Sequence, residues 1–245
     1  DVTNPSQPTH ASSLIHEADG ALLLSPNAIS VQGNYAYVAS YSNALQIIVI
    51  SNRAAPKPKG ALVDGFVNGA FLGRPNSVFV KGNFAYVASS GSNAIEILDV
   101  SVPSSPIHAA TFAQWTGRQA KYYPTSVFVS GNYAYVVSSL DNSLEVLDVT
   151  NPKNPMHKGI LRSGQGGAQL SSPESIYISD NYAYVASLYG NALEIVDVTN
   201  PAAPQHKGSL TDGTGGAKLR LPKSVFVSGS YAYLASYDNA LEIVD

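Results

Sequence analysis

The 245-residue chain contains no cysteine, which excludes disulfides, thiolate nucleophiles and cysteine-ligated zinc together. Charge is scarce: 13% of residues are charged, and 14 Lys+Arg against 17 Asp+Glu leave a formal net charge of -3. That balance gives no reason to expect nucleic acid or an acidic membrane surface as partner. No apolar run approaches 18 residues, so membrane insertion is not expected. The chain opens on Asp1-Val2-Thr3-Asn4-Pro5, which is not a signal-peptide sequence. No segment carries a helical period, and the sequence implies no metal site and no cofactor. Few lysines, no cysteine and abundant Ser, Asn, Tyr and Gly suit an extracellular or cell-surface protein.

What is present is a repeat. Pro26, Pro75, Pro124, Pro173 and Pro222 stand 49 residues apart, and each opens a variant of Pro-x-Ser-Val-Phe-Val-Ser-Gly-Asn-Tyr-Ala-Tyr-Val-Ala-Ser. Within a unit, residues 126–129, 133–137, 144–149 and a segment near 157–161 read as four short strands, alternating and rich in β-branched and aromatic residues. Ser130-Gly131-Asn132 and Asp141-Asn142 are tight turns between antiparallel neighbours. Asn151-Pro152-Lys153-Asn154-Pro155 is a stiffer bend, because its prolines cannot sit in a central ladder. Four-stranded meanders repeated radially are propeller blades, so the chain is expected to be one domain (1–245), an all-β, five-bladed β-propeller. The chain ends in a third strand (Ala240 to Asp245) and begins with the bend and fourth strand that would follow it. The last blade is therefore expected to combine three C-terminal strands with one N-terminal strand.

The segments 191–201 (Asn-Ala-Leu-Glu-Ile-Val-Asp-Val-Thr-Asn-Pro), 93–99 and 239–245 resemble the LVIVD repeat family. The likeness covers essentially the whole chain. It implies a propeller in bacterial or archaeal proteins, many of them surface-exposed or secreted. The family carries no shared catalytic residues, so the resemblance implies no activity.

Most repeated residues have building roles. Val78, Val80, Val127, Val129, Val225 and Val227, with the second-strand tyrosines Tyr37, Tyr86, Tyr135, Tyr184 and Tyr233, should fill the space between blades. His108, His157 and His206, with His10, occupy equivalent outer positions too far apart to share a metal. Glu96, Glu145, Glu194 and Glu242 recur in the third strand, where bonds to turn amides and cross-strand pairing explain them better than five active sites do.

Variation concentrates in the connections from each outer strand to the next inner strand. All five should emerge on one face, the expected working surface. The third connection holds the only tryptophan, Trp115, with Arg118, Lys121, Tyr122 and Tyr123. With Arg74, Arg162, Asp212 and Arg220 these are the candidate ligand-binding residues. The weaker catalytic candidates are His16, Glu17, Asp64 and Glu174, and Glu174 is the one acid among the inner-strand starts Asn27, Asn76, Thr125, Glu174 and Lys223. The leading expectation is a non-enzymatic recognition module or scaffold for a protein or carbohydrate. The alternatives are a hydrolase or lyase with a loop-built site near the ring axis, and a structural segment of a larger surface protein.

Overall fold

The computed structural model describes residues 1–65, 67–113 and 122–245. It is a five-bladed antiparallel β-propeller. The first blade comprises β1 (Pro26–Gln32), β2 (Tyr35–Ser40), β3 (Ala44–Val49) and β4 (Lys57–Val63). The second comprises β5 (Pro75–Lys81), β6 (Phe84–Ser89), β7 (Ala94–Asp99) and β8 (Ile107–Ala113). The third comprises β9 (Pro124–Ser130), β10 (Tyr133–Ser138), β11 (Ser143–Asp148) and β12 (Met156–Arg162). The fourth comprises β13 (Pro173–Ser179), β14 (Tyr182–Ser187), β15 (Ala192–Asp197) and β16 (Gln205–Thr211). The fifth comprises β17 (Pro222–Ser228), β18 (Tyr231–Ser236) and β19 (Ala240–Val244). Each sheet is a simple meander in which only chain neighbours pair. Among the described residues no helix is long and apolar enough to cross a membrane.

Why the sequence folds this way is visible in its turns. The asparagine opening each third strand adopts left-handed backbone, with φ between 48° and 57° at Asn43, Asn93, Asn142, Asn191 and Asn239. Asparagine tolerates that region better than other residues with a side chain, which fixes the hairpin and so the register of the strands it joins. Blades then join by a repeated set of contacts. Tyr37, Leu45, Ile47 and Leu62 of the first blade pack against Val78, Val80, Val87 and Leu98 of the second, and equivalent clusters fill the next three junctions. The side-chain oxygens of Asn43, Asn142 and Asn191 accept the amide of the following blade's Arg74, Ser172 and Leu221 at 3.0, 2.7 and 2.9 Å. On the inner strands the hydroxyls of Ser30, Ser77, Ser126 and Ser175 accept the amides of Val80, Val127, Ile176 and Val225. These bonds satisfy amides that the meander leaves without a ladder partner at the places where blades meet.

The third-strand acids are braces. Glu96, Glu145 and Glu194 are buried and pair with His108, His157 and His206 on the outer strand. A Glu194 carboxylate oxygen also accepts the amide of Gln169, and Glu242 likewise holds the amide of Lys218.

One feature differs from the sequence expectation. The fifth sheet has three strands, and residues 1–17 form no strand beside β19. The inner strands β1, β5, β9, β13 and β17 pack in succession. However, Ile29 and Val31 on β1, and Phe226 on β17, remain more than half exposed. The circle is open between the fifth and first blades.

Candidate functional site

Every inner strand begins with a β-bulge. The pairing register skips Asn27, Asn76, Glu174 and Lys223, directly after Pro26, Pro75, Pro173 and Pro222, and the third blade has the same irregularity at Thr125. A bulged residue is released from the ladder and its side chain is re-aimed. Here all five are aimed at one place. Together with Tyr41 and Tyr123 they line a single axial cavity of about 500 Å³.

The cavity is polar and asymmetric. The Lys223 ammonium lies 3.5 Å from the Glu174 carboxylate, and both side chains keep partial access to solvent. Asn27 donates from its amide nitrogen to the carbonyl of Pro75, and the Thr125 hydroxyl donates to that of Pro173 at 2.7 Å. Asn76 also lines the cavity. A carboxylate able to accept a proton, a cation beside it and a wall of amides and hydroxyls can hold a small polyhydroxylated molecule and polarise a carbonyl. Further aromatic surface stands in the turns between second and third strands, where Tyr41, Tyr189 and Tyr237 are exposed. These turns lie at the same end of the blades as the inner-strand starts, since Ser40 pairs with Pro26 and Ser236 with Pro222. Tyr189 and Tyr237 carried no sequence signal beyond a tyrosine outside the repeated Tyr-Ala-Tyr.

The remaining candidates divide. Tyr123 lines the cavity, as does Glu174. Tyr122 does not reach a surface: it is 1% exposed and belongs to the packing between the second and third blades. Burial, reinforced by the charge of Glu145, pushes its phenol well above the ordinary tyrosine range. It is corrected from ligand contact to core. Trp115, Arg118 and Lys121 lie outside the described residues.

The loop acids are structural braces. Asp64 and Asp212 accept the amides of Leu72 and Leu219 at 2.6 and 2.8 Å. His16 fills the same place in its connection, its Nδ1 accepting the amide of Leu23 at 3.1 Å. Glu17 stands 3.9 Å from the His16 ring in an exposed turn with left-handed backbone. None of these four lines the axial cavity. Arg162 and Arg220 are engaged at the surface by Asp141 and Asp238, at 3.3 and 3.5 Å. Arg74 is exposed, with left-handed backbone. Among the described residues no group of three His, Asp or Glu side chains converges as a metal site.

A family model described as LVIVD repeat matches residues 26–63, 73–113, 123–162, 172–212 and 221–245. No curated protein matches the chain. Solved structures match over most of it. A putative 6-phosphogluconolactonase from Bacteroides uniformis is 15% identical over 91% of this chain and 67% of its own, with a TM-score of 0.71. A periplasmic gluconolactonase from Pseudomonas aeruginosa is 14% identical over 91% and 66%, also at 0.71. A functionally unknown protein from Desulfotomaculum acetoxidans is 16% identical over 92% and 71%, at 0.68. Likeness at these identities shows the fold.

Proposed function

We infer, for a chain that belongs to the LVIVD-repeat family, that the axial cavity is the working site and that it hydrolyses a small polyhydroxylated cyclic ester. One observation carries this reading. Units that otherwise repeat closely place Asn, Asn, Thr, Glu and Lys at the one bulged position that faces the axis. A purely structural position would have little reason to diverge there while the proline before it persists in all five units and Ser-Val or Ser-Ile after it in four, the first blade having Ala28-Ile29. The fold-level likeness to a gluconolactonase and a putative 6-phosphogluconolactonase supports the choice of ester.

In this reading Glu174 is the general base. A water oxygen bonds to the ester carbonyl carbon, its proton passes to Glu174, and Lys223 stabilises the negative oxygen that forms. The ring carbon–oxygen bond then breaks, and the proton returns to the departing alkoxide, giving the open hydroxy acid. Asn27, Asn76 and Thr125 would orient the substrate hydroxyls. The lack of cysteine, and the periplasmic location named for one solved propeller, support a place outside the cytoplasm.

The test is acid release from sugar δ-lactones in a pH-stat, corrected for spontaneous opening. The wild-type rate should fall at least about 100-fold in Glu174→Gln with the melting temperature unchanged. A wild-type protein with no rate above background defeats the hydrolase reading. The exposed tyrosines favour a second one, carbohydrate binding without turnover, which calorimetric titration with the corresponding sugar acids would reveal as one site per chain, weakened in Tyr237→Ala.

A further inference from the structure

The two faces left open at the seam are the two halves of the interface used four times inside the chain. On the first blade, Ile29, Val31, Ala36, Val38 and Ile48 stand where Val78, Val80, Ala85, Val87 and Leu98 stand on the second. Ile29, Ala36, Val38 and Ile48 of the first set line an apolar cleft of about 480 Å³. Leu14 and Leu23 already cover part of it, in the places that Leu62 and Leu72 take over the second blade. What the cleft lacks is a three-stranded sheet bearing the Tyr-Ala-Leu-Ile set. On the fifth blade that set is present and uncovered: Leu241 is 67% and Ile243 54% exposed.

The polar devices are split in the same way. Asn239 repeats the asparagines that clamp the next blade's left-handed residue, and Ser25 is that residue on the first blade, with φ of 45°. Ser224 repeats the hydroxyl that accepts the next inner strand's amide, here that of Ile29. Glu242 repeats the acid that pairs with an outer-strand histidine, and His10 holds the outer-strand position.

Complementary halves within one chain would simply meet if each blade turned the arc far enough. They do not meet: four junctions are packed, and the fifth and first blades still stand apart. The rotation per blade is therefore that of a larger ring. The solved propellers that superpose on the arc extend beyond it by about a third of their length, room for roughly two more units of 49 residues. We propose that the seam is an interaction surface for further blades of the same LVIVD type, about two of them, which dock on the first blade's apolar cleft and on the fifth blade's uncovered sheet.

The absence of cysteine makes the test direct. Two proteins are compared: the 245-residue chain carrying Ser25→Cys and Asn239→Cys, and a chain extended after Asp245 by a second copy of residues 149–245. The extended chain carries Ser25→Cys and a cysteine at the copied Asn239. Each is treated with a short bis-maleimide at micromolar concentration. The proposal expects an intrachain crosslink in the extended protein only, together with a melting temperature raised by about 10 °C. An intrachain crosslink in the 245-residue protein means that its own ends close the ring, and a crosslinked dimer means that a second copy fills the seam. Either result overturns the proposal, as does an extended chain that fails to crosslink.

Discussion

Nδ1 of His206 lies 2.6 Å from Oε1 of Glu194, a carboxylate removed entirely from solvent. The same pair recurs as His157 with Glu145 and as His108 with Glu96. The first blade breaks the pattern on both sides at once. Pro58 replaces the histidine and Gln46 the acid, and the Gln46 amide donates instead to the carbonyls of Ile47 and Gly60. A buried charge is kept only where its partner is present.

His206→Ala should therefore cost about 1–3 kcal/mol, because Glu194 stays buried with a bond removed. Glu194→Gln added to His206→Ala should restore most of that loss, reproducing the first blade's solution. Chemical denaturation of the two single variants and the double variant measures the coupling, and strictly additive losses would contradict it.

The pH dependence separates two kinds of carboxylate. Side-chain and backbone hydrogen bonds from Thr199 hold Asp197 below the usual range. Its stabilisation is thus present above that range and is lost as pH falls through the lowered value. Burial pushes Glu194 upward, against the bonds from His206 and Gln169. A raised folded-state value has the opposite sign: its contribution is complete below the ordinary glutamate range and is lost as pH rises through the raised one. Glu194→Gln should accordingly gain on the wild type as pH climbs from 4 toward neutrality. The deficit of Asp197→Asn should shrink only at more acidic pH. Melting curves across pH 3–7 would show both slopes.

Asp64, a catalytic candidate in the sequence, and Asp212, a ligand-binding one, should both behave as braces. Asp64→Ala and Asp212→Ala each leave a leucine amide without its acceptor and should lower stability by about 1 kcal/mol. Neither should change lactone turnover at a temperature where the variant is folded. A selective loss of kcat in either would return these residues to the site.

Glycines at one repeat position should respond differently according to what faces them. A Cβ on Gly159 would meet the carbonyl oxygen of Pro201 at 2.5 Å, whereas one on Gly208 meets nothing within 4 Å. Gly159→Ala should cost about 1–3 kcal/mol through overpacking of one blade on the bend of the next, and Gly208→Ala should be near neutral. Equal melting temperatures for the two variants would contradict the close approach of the third blade's outer strand to the fourth blade's bend.

The propeller was legible because its signals are local and multiplied: Pro at each inner strand, Gly-Asn or a close variant at each first turn, Asn at each second, alternation between them. The five residues after the prolines were legible as strand starts, but their convergence depends on a bulge, which hydrophobic patterning does not encode. That His16, Asp64 and Asp212 accept backbone amides was not legible, because a side chain that accepts an amide and one that faces a substrate have the same composition. The open seam lay beyond sequence for a different reason. Matching ends can be recognised from residues alone, whereas the angle between blades is set by side-chain volumes summed over whole faces.

Because the packed junctions share a serine hydroxyl and an aliphatic set, and three of the four also share the asparagine clamp, one blade presents a surface much like another's. During refolding at high concentration, a strand trio can seat one unit out of place, or on a neighbouring molecule, with almost no local penalty. Discrimination then falls to the connecting segments, whose lengths and sequences differ, and recovery of soluble protein should depend on dilution more steeply than for a propeller with dissimilar blades.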